Sequence, residues 1–386
     1  MVSRIPGRNE GARYFSEANP IWGIPPLVVP TVSHEEIREN LLSPSPGTPF
    51  FSIIIPNWNG SHLLEECLES VFAQTFRDFE TIVVDNGSTD GSVDFLQANY
   101  ENRIRLIPLK KNLGFAGGNN RGIEKARGKW VVFLNNDAVA DVNWLRELSE
   151  AASRNPDVDI FACKVLNYYR RNEIDTVGHL LYPDGIARGR GRLEEDAGQY
   201  DREEEVFFPS GCAAAFRKDL LDIIGGFDES FFAYGDDTDL GLRARLFGSR
   251  CLLVPRAVAY HKYSSTTGTY SSFKAYQVER NRIWVMLKYF PLRWILLSPA
   301  YTIVRMTHHL VAALSGRGAS GRFAEQGSAW GLLWTVLRAQ WDAFARMPEI
   351  LAERRKSRHL RKIPAKQFTE WLRRYRLTAR EVAWKD

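Results

Sequence analysis

Cysteine is scarce in this 386-residue chain: Cys67, Cys163, Cys212 and Cys251 stand far apart, with no CxxC pair and no histidine cluster at zinc-finger spacing. Neither a disulfide framework nor a structural zinc site is indicated, and the thiols read as small buried apolar residues in a reducing compartment. Long apolar runs are missing too. The longest, 294–304, is bounded by Arg293 and Arg305, interrupted by Pro299 and too short to span a bilayer. Residues 1–50 lack the basic start and apolar run of a secretory signal; rich in Pro, Gly and polar residues, they are expected to form a poorly ordered or surface-hugging extension.

Apolar residues make up 44% of the chain and aromatics 12%, enough for an enzyme-sized core plus an appended element. The formal charge of +5 is uneven: residues 338–386 hold 14 Lys/Arg against 6 Asp/Glu, a local +8 that leaves the rest at −3. A basic tail on a slightly acidic body points to an anionic surface as the tail's partner rather than to a body that wraps nucleic acid.

From Phe51 onward, short apolar runs alternate with helical stretches, the pattern of strand–helix–strand crossovers and an α/β sheet. Strands are expected over 51–56, 81–84, 104–109, 130–134, 158–163 and 251–254, with an amphipathic helix over 63–72. Open α/β sheets bind ligands beyond the carboxyl ends of their strands, so Asp85 and Asp137 are expected to face one cleft. The charged stretch 188–205 reads as a solvated, mobile loop whose arginines have some chance of closing over a diphosphate.

After about Ser271 the pattern is almost wholly helical and holds 7 of the 11 tryptophans. Aromatic and aliphatic faces paired with Arg/Lys suit helices lying in a bilayer interface, though a helical lid or dimer interface fits the same pattern. Three regions follow: an extension over 1–50, a catalytic domain over 51–270 and a basic helical region over 271–386.

Six segments, IPNWNG at 55–60, VVDNGSTDGS at 83–92, NLGFAGGNN at 112–120, LNNDA at 134–138, PSGC at 209–212 and GFDESFFAYGDDTDL at 226–240, occur in the order and spacing of one known family. Together they resemble family 2 glycosyltransferases, and the 112–120 run with Asn135-Asn136-Asp137 is most similar to the rhamnosyltransferase-like branch. The resemblance implies a GT-A fold with a central, mostly parallel mixed sheet, a nucleoside-diphosphate sugar donor and a divalent metal, Mg²⁺ or Mn²⁺.

On that resemblance the donor is held by Pro56, Asn57, Asn59, Asp85, Ser88, Asn112, Gly114, Gly117, Asn119, Asn136 and Asp137. Asp85 ends an apolar strand and can accept hydrogen bonds from a base edge or ribose hydroxyls, although Asp-Asn-Gly is also an ordinary strand-ending turn. Asp137 stands at the family's DxD position, where a bound metal would neutralise a departing diphosphate. The first acidic residue of that motif is Asn135 here, so Asp137 needs help, and His261 aligns with a histidine that some relatives use as a ligand. Gly211, Trp58 and Tyr234 fall on the acceptor side. Inversion requires a base opposite the leaving group; Asp236 and Asp237 are the candidates, with Asp237 at the position of the family's base. Both also suit a helix start favoured by the helix dipole.

The sequence is thus expected to encode an inverting, metal-dependent glycosyltransferase, with dTDP-rhamnose as favoured donor and a UDP-sugar as second choice. Its acceptor would be a saccharide or lipid-linked glycan in cell-surface polysaccharide synthesis, at the cytoplasmic face of the plasma membrane and peripheral to it. A catalytically silent nucleotide-sugar-binding membrane scaffold is the alternative, and no nucleic-acid motif accompanies the basic charge.

Overall fold

Apolar runs become strands where helical segments separate them. β1 (Phe51–Asn57), β2 (Phe79–Asp85), β3 (Arg105–Pro108) and β4 (Trp130–Leu134) lie parallel in the order β3-β2-β1-β4. α1 (Ser61–Phe72), α2 (Ser92–Tyr100) and α3 (Gly114–Ile123) make the crossovers. β4 is buried along its whole length, as a strand covered on both faces must be. The computed structural model describes residues 47–263, 271–316 and 329–385, so nearly all of the extension expected over 1–50 lies outside the described residues.

Beyond β4 the sheet becomes mixed. β5 (Ala138–Ala140) leads into α4 (Trp144–Arg154), followed by β6 (Ile160–Asn167), β7 (Ile174–Thr176) and the separate hairpin of β8 (His179–Leu181) and β9 (Ala187–Gly189). Then come β10 (Glu204–Glu205), β11 (Ala213–Arg217), α5 (Lys218–Ile224), α6 (Asp236–Phe247) and β12 (Cys251–His261). The sheet order is β10-β12-β6-β11-β4-β1-β2-β3, with β5 on β12 and β7 on β6. β11 runs antiparallel between β4 and β6. The sequence pattern passes over it because three of its five residues are alanines, which strands seldom favour; two neighbouring ladders hold it instead.

The stretch 188–205 is not the loose loop expected from its charge. Lys164, almost fully buried, bonds Asp196 at 2.9 Å and Asp201; Arg190 meets Glu204 at 2.7 Å; Arg192 meets Asp175. Charges satisfied within the stretch and by Lys164 and Asp175 outside it tie it down.

Every described element from Ser272 on is helical: α7 (Ser272–Tyr289), α8 (Leu292–Leu314), α9 (Ala329–Ala345), α10 (Met347–Lys356), α11 (Ala365–Arg374) and α12 (Ala379–Trp384). α7 is the hub, packed on α6, α9 and α10. Part of the basic tail turns inward: the Arg354 guanidinium donates to the carbonyls of Leu287 and Phe290 at 2.8 Å each, and Tyr375 stacks on Phe207 with ring centres 5.0 Å apart. α8 continues through Pro299. The hydroxyl of Ser298 donates to the Ile295 carbonyl at 2.8 Å, the acceptor that a backbone N–H at Pro299 would have used. No described helix is long and apolar enough to cross a membrane.

A buried ion network joins these helices to the β8–β9 hairpin. Arg305 of α8 bonds Asp184 at 2.7 Å and Glu279 at 3.0 Å; Glu279 also meets Arg282 and accepts from Gln340 at 2.9 Å. Burial pushes the Glu279 carboxyl up, but Arg305 and Arg282 outweigh it and hold the group down at about 2. Removing one partner strands the others in a dry interior, so Arg305→Ala is expected to cost about 3–5 kcal/mol in urea unfolding at neutral pH. The depressed Glu279 value makes its contribution present above the ordinary carboxylate range and lost as pH falls through about 2. The stability gap between the wild type and Glu279→Gln should therefore narrow on acidification.

Candidate active site

The carboxyl ends of β1 and β4 open on a cavity of 1640 Å³. Pro56, Asn57, Trp58, Asn112, Gly114, Asn136, Asp137, Gly211, Tyr234, Asp236, Asp237 and His261 all line it; Asn59, Asp85, Ser88, Gly117 and Asn119 do not. Four of these five hold neighbouring backbone and side chains in shape. Asp85 is buried and has both oxygens engaged, one by Asn57 Nδ2 at 3.0 Å and one by the Ser88 N–H at 2.9 Å. Asn57 Oδ1 in turn accepts from Asn136 Nδ2 at 2.8 Å, so a chain of amides ties the ends of β2, β1 and β4 together. The Asn59 N–H donates to Ser88 Oγ at 2.9 Å, and Asn119 Nδ2 caps the Phe115 carbonyl at 3.0 Å within α3.

β5 pairs antiparallel with the end of β12, placing His261 opposite Ala138 and so beside Asp137. His261 Nε2 lies 3.3 Å from Asp137 Oδ1, and its Nδ1 lies 2.7 Å from Asp175 Oδ2. Burial disfavours the imidazolium, yet the Cys212 thiol and the Asp137 and Asp175 carboxylates around the ring hold its pKa well above the usual histidine value. Asp175 is held low in turn: burial raises it, and His261 and Arg192 more than offset that. An Nδ1–H bound to Asp175 would leave Nε2 to a metal, the usual carboxylate–histidine–metal arrangement. Among the described residues no group of three or more His, Cys, Asp or Glu side chains is disposed to hold an ion. A cation placed between Asp137 and His261 would have to take its remaining ligands from phosphate and water.

Asp236 and Asp237 open α6 after a turn in which Phe232, Tyr234 and Gly235 all have positive φ, of 66°, 64° and 81°. Two non-glycine residues in that region are strained and must be held. Asn281 of α7 holds them: its buried Nδ2 lies 3.0, 3.0 and 2.6 Å from the carbonyls of Phe231, Ala233 and Tyr234. The two carboxyls differ. Asp236 is buried, and burial followed by the adjacent Asp237 pushes it well above the usual carboxylate value. Asp237 is partly exposed, accepts from the Gly211 N–H at 3.2 Å and the Thr238 N–H at 2.7 Å, and has His179 Nε2 at 4.0 Å. Asp239 does not reach the cavity; it braces α6 through Arg243 at 2.8 Å and through Lys288.

Sequence reasoning did not single out Asp175, His179 or Asn281. Each is a lone polar residue in an unremarked stretch, made significant only by long-range pairing.

Residues 52–225 match the family model described as Glycosyl transferase family 2. The chain carries a family 2 glycosyl transferase domain. Across 273 residues it is 28% identical to an N-acetylglucosaminyl-diphospho-decaprenol L-rhamnosyltransferase of Mycobacterium tuberculosis, covering 61% of this chain and 85% of that one. An O-antigen biosynthesis protein of Myxococcus xanthus is 28% identical over 239 residues, 60% of this chain and 18% of its own length. An uncharacterized protein of Sinorhizobium fredii is 30% identical over 241 residues, 59% of this chain and 26% of its own. The chain thus spans 18% and 26% of the length of the last two relatives. The fold is GT-A: the crystal structure of GalNAc-T7 with UDP, GalNAc and Mn²⁺ superposes with a TM-score of 0.54 at 16% identity, over 68% of this chain and 51% of that one.

The glycine-rich segment of this domain meets the strained turn directly. Gly114 has φ +76°, and a Cβ there would come within 2.3 Å of the Phe232 carbonyl oxygen; Gly91, at φ +84°, has open space. Gly114→Ala should destabilise by about 2–4 kcal/mol, against about 1 kcal/mol for Gly91→Ala, which bears only the backbone cost. Urea melts of both variants measure the difference.

Proposed function

We propose that this protein is an inverting glycosyltransferase that moves a sugar from a nucleoside diphosphate, dTDP-rhamnose in the first instance and a UDP-sugar in the second, to a hydroxyl of a saccharide or lipid-linked glycan. The observation that carries the reading is that Asp237 and the Asp137–His261–Asp175 relay line one cavity.

Asp237 is the base. The Gly211 and Thr238 N–H groups stabilise its anion and orient it, and it takes the proton of the attacking acceptor hydroxyl as that oxygen closes on the anomeric carbon. The neighbouring Asp236, driven toward its neutral form by burial, adds little competing charge. Asn57, Asn112, Asn136 and Gly114 line the donor side, with Asp85 and Ser88 fixing the turn beneath them. Trp58 and Tyr234 offer ring faces to the acceptor sugar. A divalent cation held by Asp137 and His261 would supply positive charge to the departing diphosphate.

The setting we infer is an anionic membrane surface in polysaccharide synthesis. Leu296, Trp330, Trp334 and Trp341 are 71%, 80%, 69% and 76% exposed, an apolar surface on α8 and α9 of the kind that lies in a headgroup layer.

With dTDP-, UDP- and GDP-sugars screened by thermal shift in Mg²⁺ or Mn²⁺, one nucleotide class should raise the melting temperature. Asp237→Asn should lower transfer by about 10²–10⁴-fold while donor binding persists. Asp137→Ala should weaken donor binding itself. Nucleoside diphosphate release in the presence of acceptor measures both, and undiminished turnover by Asp237→Asn refutes the assignment.

A further inference from the structure

The cavity does not end at the carboxylates. It continues past α7 to a slot whose walls are flanks of α8 and α9, lined by Ile303, Met306 and Leu310 on one side and Leu333, Val336 and Leu337 on the other. α8 and α9 each pack against other elements, α12 and α7 respectively. Polar side chains along the slot are turned to partners of their own: Thr302 to Asp184 at 3.2 Å, Thr307 to the Ile303 carbonyl at 2.9 Å, Gln340 to Glu279 at 2.9 Å. Helix flanks keep their backbone groups bonded internally, and Arg305, which also lines the cavity, is paired with Asp184 and Glu279, so apart from His309 the walls between α8 and α9 are mostly hydrocarbon. Ile303, Leu310, Leu333 and Leu337 nevertheless remain 47–67% exposed, a costly display unless something covers it.

We propose that this slot binds the hydrocarbon chain of a lipid-linked acceptor whose sugar hydroxyl lies at Asp237. This rests on the transferase reading above and goes further in fixing where the lipid runs. A ligand filling one cavity that is polar at Asp237 and aliphatic between α8 and α9 must itself be amphipathic, with its two parts in that order. A peptide helix would match the aliphatic walls but would have no hydroxyl to deliver at the far end. A hydrocarbon chain asks for no hydrogen bonds and leaves the slot onto the exposed tryptophan face of α9, where a membrane would receive it.

The test is photolabelling of the full chain with an alkyl glycoside bearing a diazirine at the chain end, with the ethyl glycoside as a chainless competitor. Labelled peptides should come from α8 and α9, resist competition by the ethyl glycoside, and persist when dTDP or UDP is bound. Val336→Trp, which fills the slot, and Leu333→Asp, which charges it, should each reduce labelling by about tenfold while leaving nucleotide binding unchanged. Two variants of opposite character guard against one of them misfolding. Labelling elsewhere, no labelling, labelling indifferent to both substitutions, or a dimer that shields α8 and α9 from the probe would each overturn the proposal. Nucleotide binding in the same samples separates the two failures: if nucleotide binds and the label maps elsewhere, only the slot falls, whereas no nucleotide binding removes the transferase reading.

Discussion

The three-residue pairing of β5 with the end of β12 decides where the chemistry sits. β4 delivers Asp137 just beyond its last residue, but a single carboxylate at a strand end is only a solvated turn. The antiparallel pairing lays His261 against Ala138, the residue after Asp137, and β7, paired with β6, supplies Asp175 to the other ring nitrogen. Both ring nitrogens then have assigned directions, and a flexible histidine becomes a fixed one. Slippage of β12 by one residue would turn His261 to the opposite face and dismantle the arrangement.

On the far wall the constraint is different. Asp236 and Asp237 sit where they do because a turn with two strained non-glycine residues has been made the shortest route into α6, and the Asn281 amide holds its carbonyls. The glycine-rich segment approaches the same turn so closely at Gly114 that a methyl group has no room. The donor-side loop and the turn that leads into the acid pair are therefore in van der Waals contact, and movement of one is felt by the other.

Much of this could be read from the residues alone. The strands read at 51–56, 81–84 and 130–134 announce themselves because buried parallel strands are continuous apolar runs, and Asp137, Asp237 and His261 stand in short segments of recognisable order. Other features are invisible for definite reasons. β11 is built largely of alanine and is a strand only because β4 and β6 flank it. The stretch 188–205 looks like a solvated loop until Lys164 and Asp175 supply its partners. Asp175, His179 and Asn281 acquire roles through contacts spanning from 47 to 86 residues of chain, a separation no local pattern encodes. Asp85 was legible as a strand-end carboxylate; what the residues could not convey is that both its oxygens are already engaged.

The Asp184–Arg305–Glu279–Arg282 network also bears on how such a protein could be taken apart. Its two acids and two bases come from the hairpin, from α7 and from α8, and cancel only when all three are in place. Cutting the chain after the last strand would leave Asp184 as an orphan anion in an apolar seam. The helical region is therefore no detachable cassette, and grafting it onto another sheet, or exchanging it between relatives, would require the matching carboxylate to travel with it.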